Sequence, residues 1–457
     1  MIDFFNRYEQ SILVVLLVCL WALPVAHAGD GLVKESAGKD HVLDLDMAVE
    51  TALANNTIIK EAMERYNAAV QEEKSARSDL LPKLSASYSY TNLKHQPYSI
   101  FSGNRIYVSS DEVYHWDIMA VQPIFTGFAL TTRHTMAELG VDLREIEQKL
   151  ARMDVTRQVK AAYYNCLLAE KFLGVADEAL RNLKSHVSDA TRFYDEGMIA
   201  YNDLLKSKVA LANSVQNRAR ARSNVDMAVS SLNTLLRLDI NKPTQVEDVG
   251  DVITAFFDLD ELIDKALSQR PELHALGIAI KNADNAIRLA RSQYYPSLSL
   301  IGMYTQTGDN LKADHNDYSN DRNTTIALEA RWQFFEWGKT RFDAGRYAHE
   351  KLALIEKTRS VEDGISLEVK NAFLNLQVSR CNIATAKESL AQAQENYRLT
   401  NLQYQQQMTT STEVLDARTF LSQAQTNYYS ALYGYMISEA ELERAVGKMP
   451  PDNLATR

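Results

Sequence analysis

Side chains able to make or break bonds occur in this chain, but not in the groupings such chemistry requires. The nine histidines include no His-x-x-x-His pair and no pairing with cysteine, which excludes the usual metal-site spacings. No glycine-rich phosphate loop and no nucleophile elbow is present. The segment Asp309 to Asp321 is rich in Asp and Asn, the residue types that ligate a hard cation, yet it lacks a calcium-loop spacing and reads as a hydrated surface loop. We therefore expect no enzyme, no catalytic residue, no metal and no cofactor. Function must come from shape and from where charge is placed.

Composition narrows the setting. An apolar run from Ile12 to Leu23 is too short to span a bilayer and ends in Ala26-His27-Ala28, a small-x-small signal-peptidase pattern. A signal peptide over residues 1–28 and a mature chain from Gly29 are expected. The two remaining cysteines, Cys166 and Cys381, lie far apart in apolar helical stretches and read as two buried small hydrophobes rather than a disulfide. The net charge of −10 argues against nucleic acid. No later segment is apolar enough for a transmembrane helix, so any membrane crossing has to use β-strands.

The positioning elements come twice. Adding 210 to a residue number pairs Ala162 with Ala372, Tyr194 with Tyr404, Met198 with Met408, Leu205 with Leu415 and Leu232 with Leu442; upstream, an offset of 214 pairs Ala76 with Ala290 and Pro82 with Pro296. The four-residue difference predicts one longer loop in the first copy. Each copy opens with an acidic cap and an amphipathic helix, near Asp44 to Leu80 in repeat one. Two strands of period two follow, at 84–92 and 113–125 in repeat one and at 297–305 and 325–335 in repeat two, joined in repeat one by a polar loop around Lys94 to Asp111. From Phe128 a helical pattern continues to Glu196, about 105 Å at 1.5 Å per residue. A second helix begins after Asp203 with a seven-residue rhythm of Leu204, Leu211, Val225 and Leu232, matched by Val414, Leu421, Tyr428, Tyr435 and Leu442. The first and returning helices, stacked end to end, should equal the long one.

Four strands cannot close a barrel, and lipid tolerates no open sheet edge. Eight strands from two chains would fill their own lumen with side chains, whereas twelve from three leave a passage. The chain therefore reads as an α+β membrane protein in which a long coiled-coil helical barrel joins a β-barrel shared between three subunits. Repeat one covers 29–240, an inter-repeat equatorial segment 241–257, repeat two 258–447 and a C-terminal tail 448–457. The alternative is a secreted periplasmic coiled-coil structural or adhesin protein, which would not need paired strands at equivalent places in both repeats.

With these features the chain resembles the TolC family of outer-membrane efflux and secretion ducts. Tyr404-Gln405-Gln406-Gln407-Met408-Thr409-Thr410-Ser411-Thr412-Glu413-Val414-Leu415-Asp416-Ala417 is similar to the family's inner coiled-coil turn, and Gly197-Met198-Ile199-Ala200-Tyr201-Asn202-Asp203-Leu204 to its outer one. The resemblance implies a homotrimer in outer-membrane lipid, with a helical tunnel across the periplasm and an equatorial belt built from Asp239 to Phe257 and the carboxyl terminus. Its partners would be a periplasmic adaptor, or membrane fusion protein, and an inner-membrane pump or ABC exporter. It also implies roles for residues. Glu413 and Asp416 stand where the family lines its periplasmic mouth with acids, and their spacing of three puts both on one helix face. The alternative is a solvated helix start whose dipole suits acids anyway. Asp203 and Tyr404 match the family's closed-state lock, but its arginine position is Thr409. The docking tips would comprise Gly197, Met198, Ile199, Ala200, Gln407 and Met408, within turns 197–203 and 407–413.

Overall fold

The computed structural model describes residues 42–249 and 257–450. The expected signal peptide, the start at Gly29, residues 250–256 of the belt segment and residues 451–457 of the tail lie outside the described residues. In chain order the elements are α1 (Leu45–Asn55), α2 (Thr57–Ser78), β1 (Lys83–Asn92), β2 (Tyr98–Phe101), β3 (Asn104–Tyr107), β4 (Glu112–Thr126), α3 (Ala129–Asp195), α4 (Tyr201–Leu236), α5 (Leu259–Gln269), α6 (Pro271–Arg291), β5 (Ser297–Gly308), β6 (Arg322–Arg331), α7 (Lys339–Gln405) and α8 (Ser411–Val446). A shift of 210 carries both ends of α3 onto α7 and both ends of α4 onto α8, and a shift of 214 carries α1 onto α5.

β1, β4, β5 and β6 form one antiparallel sheet in that order, with β1 and β6 as its edges. The register places Leu84, Ala86, Tyr88 and Tyr90 opposite Ala120, Ile118, Trp116 and Tyr114. Across the next two ladders Ile118 meets Tyr304, and Leu300 and Gly302 meet Leu328 and Ile326. This face is apolar and open, with Leu84 77 % and Ile326 78 % exposed. The opposite face carries Ser85, Ser87 and Ser89 against Met119, Asp117 and His115, and Thr305 and Thr307 beyond them. An apolar face with a polar reverse is the pattern of a lipid-facing barrel wall. Among the described residues no helix is long and apolar enough to cross a membrane. At the helical end of the sheet, Tyr294, Tyr295, Trp332, Phe334, Phe335 and Trp337 are exposed, as an aromatic girdle at an interface would be.

Several elements differ from the sequence reading. The first loop is not irregular: β2 and β3 pair as a hairpin about Ser102 and Gly103, both at positive φ, the backbone of a type I′ turn. β6 ends at Arg331, short of the expected 335, and β5 continues to Gly308. The opening helix of each repeat is two helices, because Asn56 and its counterpart Arg270 adopt extended backbone. α4 starts at Tyr201, which puts Asp203 in its first turn. Cys166 is buried, and burial pushes its thiol up to about 12, but Cys381 is exposed on this chain; both are free. The exposure of Cys381 has a physical cause: helix α7 leaves one flank uncovered at Leu374, Val378 and Cys381.

The helix breaks are where the pieces join. Asn56 caps α2 by accepting from the Ile58 amide at 2.9 Å and donates Nδ2 to the Leu235 carbonyl at the end of α4, also at 2.9 Å. α2 and α4 thus meet end to end, while α1 packs beside α3 and α4. Arg270 does the same in repeat two, donating Nη1 to the carbonyls of Ala445 at 3.0 Å and Arg444 at 3.3 Å. It also holds Glu272 in a two-pronged bond and reaches Glu368 at 2.9 Å, with Arg444 linking Glu368 to Asp154. The main core lies at this level: Ala48, Val49, Ala52 and Leu53 of α1 pack on Val155, Val159, Tyr163 and Leu167 of α3, with Leu232, Leu236, Tyr433 and Met436. Tyr163 donates to the carbonyls of Leu43 at 2.9 Å and Glu247 at 2.7 Å, pinning the inter-repeat segment beside Leu43, which bridges Val246.

Equivalent substitutions at the two junctions should differ in cost. Asn56→Ala removes a cap and one carbonyl partner, about 0.5–2 kcal/mol. Arg270→Ala strips a nearly fully buried cation from two carboxylates and two carbonyls, about 3–5 kcal/mol. Thermal unfolding of the detergent-solubilised protein should show the larger loss for Arg270→Ala, and equal losses would contradict this account of the junctions.

Candidate functional site

Each long helix ends in the same turn. Gly197 donates to the Tyr194 carbonyl and Met198 to that of Phe193; 210 residues on, Gln407 donates to Tyr404 and Met408 to Gln403. This is the Schellman arrangement, and it requires a left-handed residue, supplied by Gly197 at φ +75° and by Gln407 at φ +62°. Gly197 has the open backbone for it, while Gln407 adopts it against its own Cβ. Residues 196–200 and 406–410 are therefore the tips. Met198, Ala200, Gln407 and Met408 are exposed, the Gln407 amide lies on the Met198 sulfur, and Ile199 turns inward against Phe193, Tyr404 and Val414.

Thr410 caps α8 by accepting from the Glu413 amide at 3.4 Å, so Glu413 sits in the first turn. Glu413 and Asp416 are both exposed, and neither forms an ion pair among the described residues. Thr409 is half-buried. Asp203 and Tyr404 lie close together, but each has another neighbour. Asp203 is 3.5 Å from Lys206, whose ammonium also reaches the Thr412 hydroxyl of α8 at 3.4 Å. Tyr404 is buried on the rings of His186 and Phe193, with its hydroxyl near that of Ser411. Burial, then the charges of Asp189 and Asp203, raise its pKa.

Two buried polar groupings, absent from the sequence reading, connect the hairpin α3–α4 to the hairpin α7–α8. In the lower one, His186 of α3 is 3 % exposed, with Nε2 2.7 Å from the Ser411 hydroxyl of α8 and 3.3 Å from the Ser207 hydroxyl of α4; the two hydroxyls are 2.8 Å apart. In the upper one, Arg418 of α8 donates Nη1 to Glu178 of α3 at 3.1 Å, and Gln425 donates to the other carboxylate oxygen at 2.9 Å. Tyr397 of α7 stands 5.5 Å from the guanidinium. Arg418 and Gln425 occupy a heptad row otherwise expected to be apolar, a signal visible in the sequence; nothing in sequence distinguishes His186.

At the far end of the molecule, His315 of the β5–β6 loop lies between Asp309 at 3.0 Å and Asp317 at 3.5 Å. The hydrogen bond and charge of Asp309, then Asp317, raise the imidazole's pKa. Among the described residues Asp309, His315 and Asp317 are the only set of three His, Cys, Asp or Glu side chains whose ligand atoms all lie close to one another, and the set is largely open to water.

A four-stranded wall with a lipid-type face and two open edges, continuous with helices about 100 Å long, defines a subunit of a membrane-crossing channel. The sequence profile of the outer membrane efflux protein family matches residues 48–236 and 262–448, and the chain belongs to that family. It is 21 % identical over 418 residues to the outer membrane protein TolC of Salmonella enteritidis, covering 89 % of this chain and 82 % of that protein. It is also 21 % identical over 431 residues to the alkaline protease secretion protein AprF of Pseudomonas aeruginosa, covering 86 % and 84 %. The fold matches the crystal structure of the Campylobacter jejuni CmeC outer membrane channel with a TM-score of 0.76 at 18 % identity, over 88 % of this chain and 85 % of that one. The protein is thus a TolC-family outer-membrane channel component for efflux or secretion, extending into the periplasm.

The pH response of the tip follows from His186. Burial holds its imidazole pKa below the ordinary value, and Asp189 offsets this only in part. Tyr404 of α7 packs on the imidazole ring at 4.7 Å between centroids, and α8 presents the neutral Ser411. A loosened tip therefore binds the proton more readily than the packed one. The packing contribution is complete above an unperturbed histidine pKa of about 6.5 and is lost as pH falls below it. Amide exchange in residues 193–207 and 404–414, corrected for intrinsic rates, should rise on acidification through that value, and His186→Gln should flatten the response.

Proposed function

We propose that three copies of the chain close a twelve-stranded barrel in the outer membrane, continued by a helical tunnel through the periplasm. The observation that carries this reading is the pair of unpaired edges, β1 and β6, on a sheet whose outer face is apolar. Strand direction alternates along β1, β4, β5 and β6, so β6 of one copy is antiparallel to β1 of the next, and closure needs no reversal. Every edge is then satisfied. The secreted coiled-coil alternative leaves both the apolar face and the edges without a reason.

The duct takes cargo through its tips. Met198 and Met408, exposed side by side at the ends of the two hairpins, suit docking of a periplasmic adaptor of the membrane fusion class, itself held by an inner-membrane pump or ABC exporter. The chain contributes passage and charge selection and no catalysis. Glu413 and Asp416, unpaired and exposed on one face at the helix start, would put six carboxylates around the mouth of a trimer, a field that favours cations. With Thr409 in the arginine position, closure relies on Tyr404 beside Asp203, on Lys206, and on the buried contacts of His186 and Arg418.

Mass measurement on the detergent-extracted protein should give a trimer; a monodisperse monomer with intact β-structure would overturn the architecture. Met198→Glu combined with Met408→Glu should abolish export at unchanged outer-membrane yield, and surviving export would place the adaptor elsewhere.

In planar bilayers the trimer should prefer cations and be blocked by a trivalent cation on the periplasmic side. Replacing Glu413 and Asp416 together with alanine should remove that block, and Thr409→Arg should lower conductance by binding Asp203. An unchanged block in the double variant would withdraw the carboxylates from the pore.

A further inference from the structure

Within one chain, repeat two packs its helix α8 against α3 of repeat one. Glu178 of α3 pairs with Arg418 of α8, and Tyr164 and Leu168 of α3 are covered at the core where Ile437 of α8 also packs. The 210-residue shift gives each of these a counterpart on the other helices. Glu178 becomes Glu388, Tyr164 becomes Leu374 and Leu168 becomes Val378, all on α7; Arg418 becomes Lys208 and Ile437 becomes Met227, both on α4. The charges keep their signs and the apolar positions stay apolar. Yet on this chain every counterpart is exposed: Leu374 by 46 %, Val378 by 59 % and Met227 by 67 %, with Lys208 and Glu388 also open. Among the described residues Lys208 forms no ion pair, and Glu388 meets only Gln392 of its own helix at 3.4 Å.

We infer that the exposed faces of α4 and α7 are the two halves of the contact between neighbouring copies, in which Lys208 pairs with Glu388 of the partner subunit and Met227 covers Leu374 and Val378 of the partner subunit. The inference rests on the trimeric reading and specifies its helical interface. A head-to-tail contact that repeats an internal one closes a ring when the rotation between repeats is uniform. Six alternating repeats then supply six similar contacts, three inside chains and three between them. The likeness is incomplete in one respect. Where α8 has the apolar Leu432 and Met436, α4 has Arg222 and Asp226, paired at 3.4 Å, so the contact between copies is more polar toward the belt. Charge complementarity at Lys208 and Glu388 then sets the register of the two copies.

The test uses the full-length protein in membranes with Cys381→Ser, which removes the exposed thiol and leaves buried Cys166. Lys208→Cys with Glu388→Cys, treated with a short bis-maleimide, should convert the monomer band to covalent dimer and trimer on a denaturing gel, whereas either single cysteine should not. Glu178→Cys with Arg418→Cys should link within one chain and leave the band at monomer mass. Separately, Lys208→Glu should lower the temperature at which the trimer dissociates, and adding Glu388→Lys should restore it. A trimer by native mass that gives no interchain link at 208 and 388, and no rescue by charge exchange, would overturn this interface while leaving the duct intact. A monomer by native mass would overturn both.

Discussion

A peptide group without a partner in hydrocarbon costs several kcal/mol, and most features of this chain answer to that constraint. The sheet has only four strands, so β1 and β6 each present a row of unmet N–H and C=O groups. No arrangement inside one subunit can satisfy them, because the strands are too few to curl closed. The even strand count is consequential: it leaves the two edges running in opposite directions, so that in the assembly we propose copies would join by the antiparallel pairing already used inside each one. Three copies are then the smallest set with an open lumen. The apolar face at Leu84, Ile326 and Leu328 and the serine-rich reverse follow from the same geometry.

The duplication supplies the architecture, and its departures from symmetry supply specialisation. Asn56 and Arg270 occupy the same junction and bond equivalent carbonyls at Leu235 and Ala445. One is a neutral cap and the other anchors a network of Glu272, Glu368, Arg444 and Asp154. Gly197 and Gln407 hold the same left-handed turn, but only the first does so without steric cost. The buried hairpin-to-hairpin contacts are likewise one-sided: Ser411 and Arg418 of repeat two correspond in sequence to Tyr201 and Lys208 of repeat one, which are exposed on the single chain. Repeat two is thus the copy whose hairpin is gripped by polar contacts.

What was legible in the sequence is what depends on local periodicity. The alternation at Leu84, Ala86, Tyr88 and Tyr90 gave a strand because its two faces meet different surroundings, and the uninterrupted helical rhythm from Phe128 gave a helix that ends within a residue of the expected Glu196. Contacts between helices left weaker traces. His186 looks like any helical histidine until Ser207 and Ser411 arrive from other elements. Cys381 reads as a core residue because its neighbours are apolar, although that flank faces outward on the single chain. The break at Arg270 has a local cause, since Pro271 disfavours helical backbone in the residue before it and opens α6; Asn56 carries no such signal, and its extended backbone answers to the Leu235 carbonyl it reaches. The hairpin at Ser102-Gly103 was hidden by the polarity of its loop.

Buried polar pairs are poor sources of net stability, since desolvation cancels much of their attraction. Arg418 shows the cost, with Nε and Nη2 buried and without a hydrogen-bond partner among the described residues. Such groups do specify alignment, because an apolar seam tolerates a one-heptad slide whereas Arg418 finds Glu178 at only one register. A coiled coil that has to hold one state and still yield gains from this balance. In the tube we propose, apolar packing along α3, α4, α7 and α8 would persist in either state, while the few polar contacts near the tips would distinguish the packed arrangement at modest net free energy. In the closed state we propose, with Thr409 where the family resemblance implies a cation, the alignment would be set higher along α8 by Arg418, about two helical turns above Ser411.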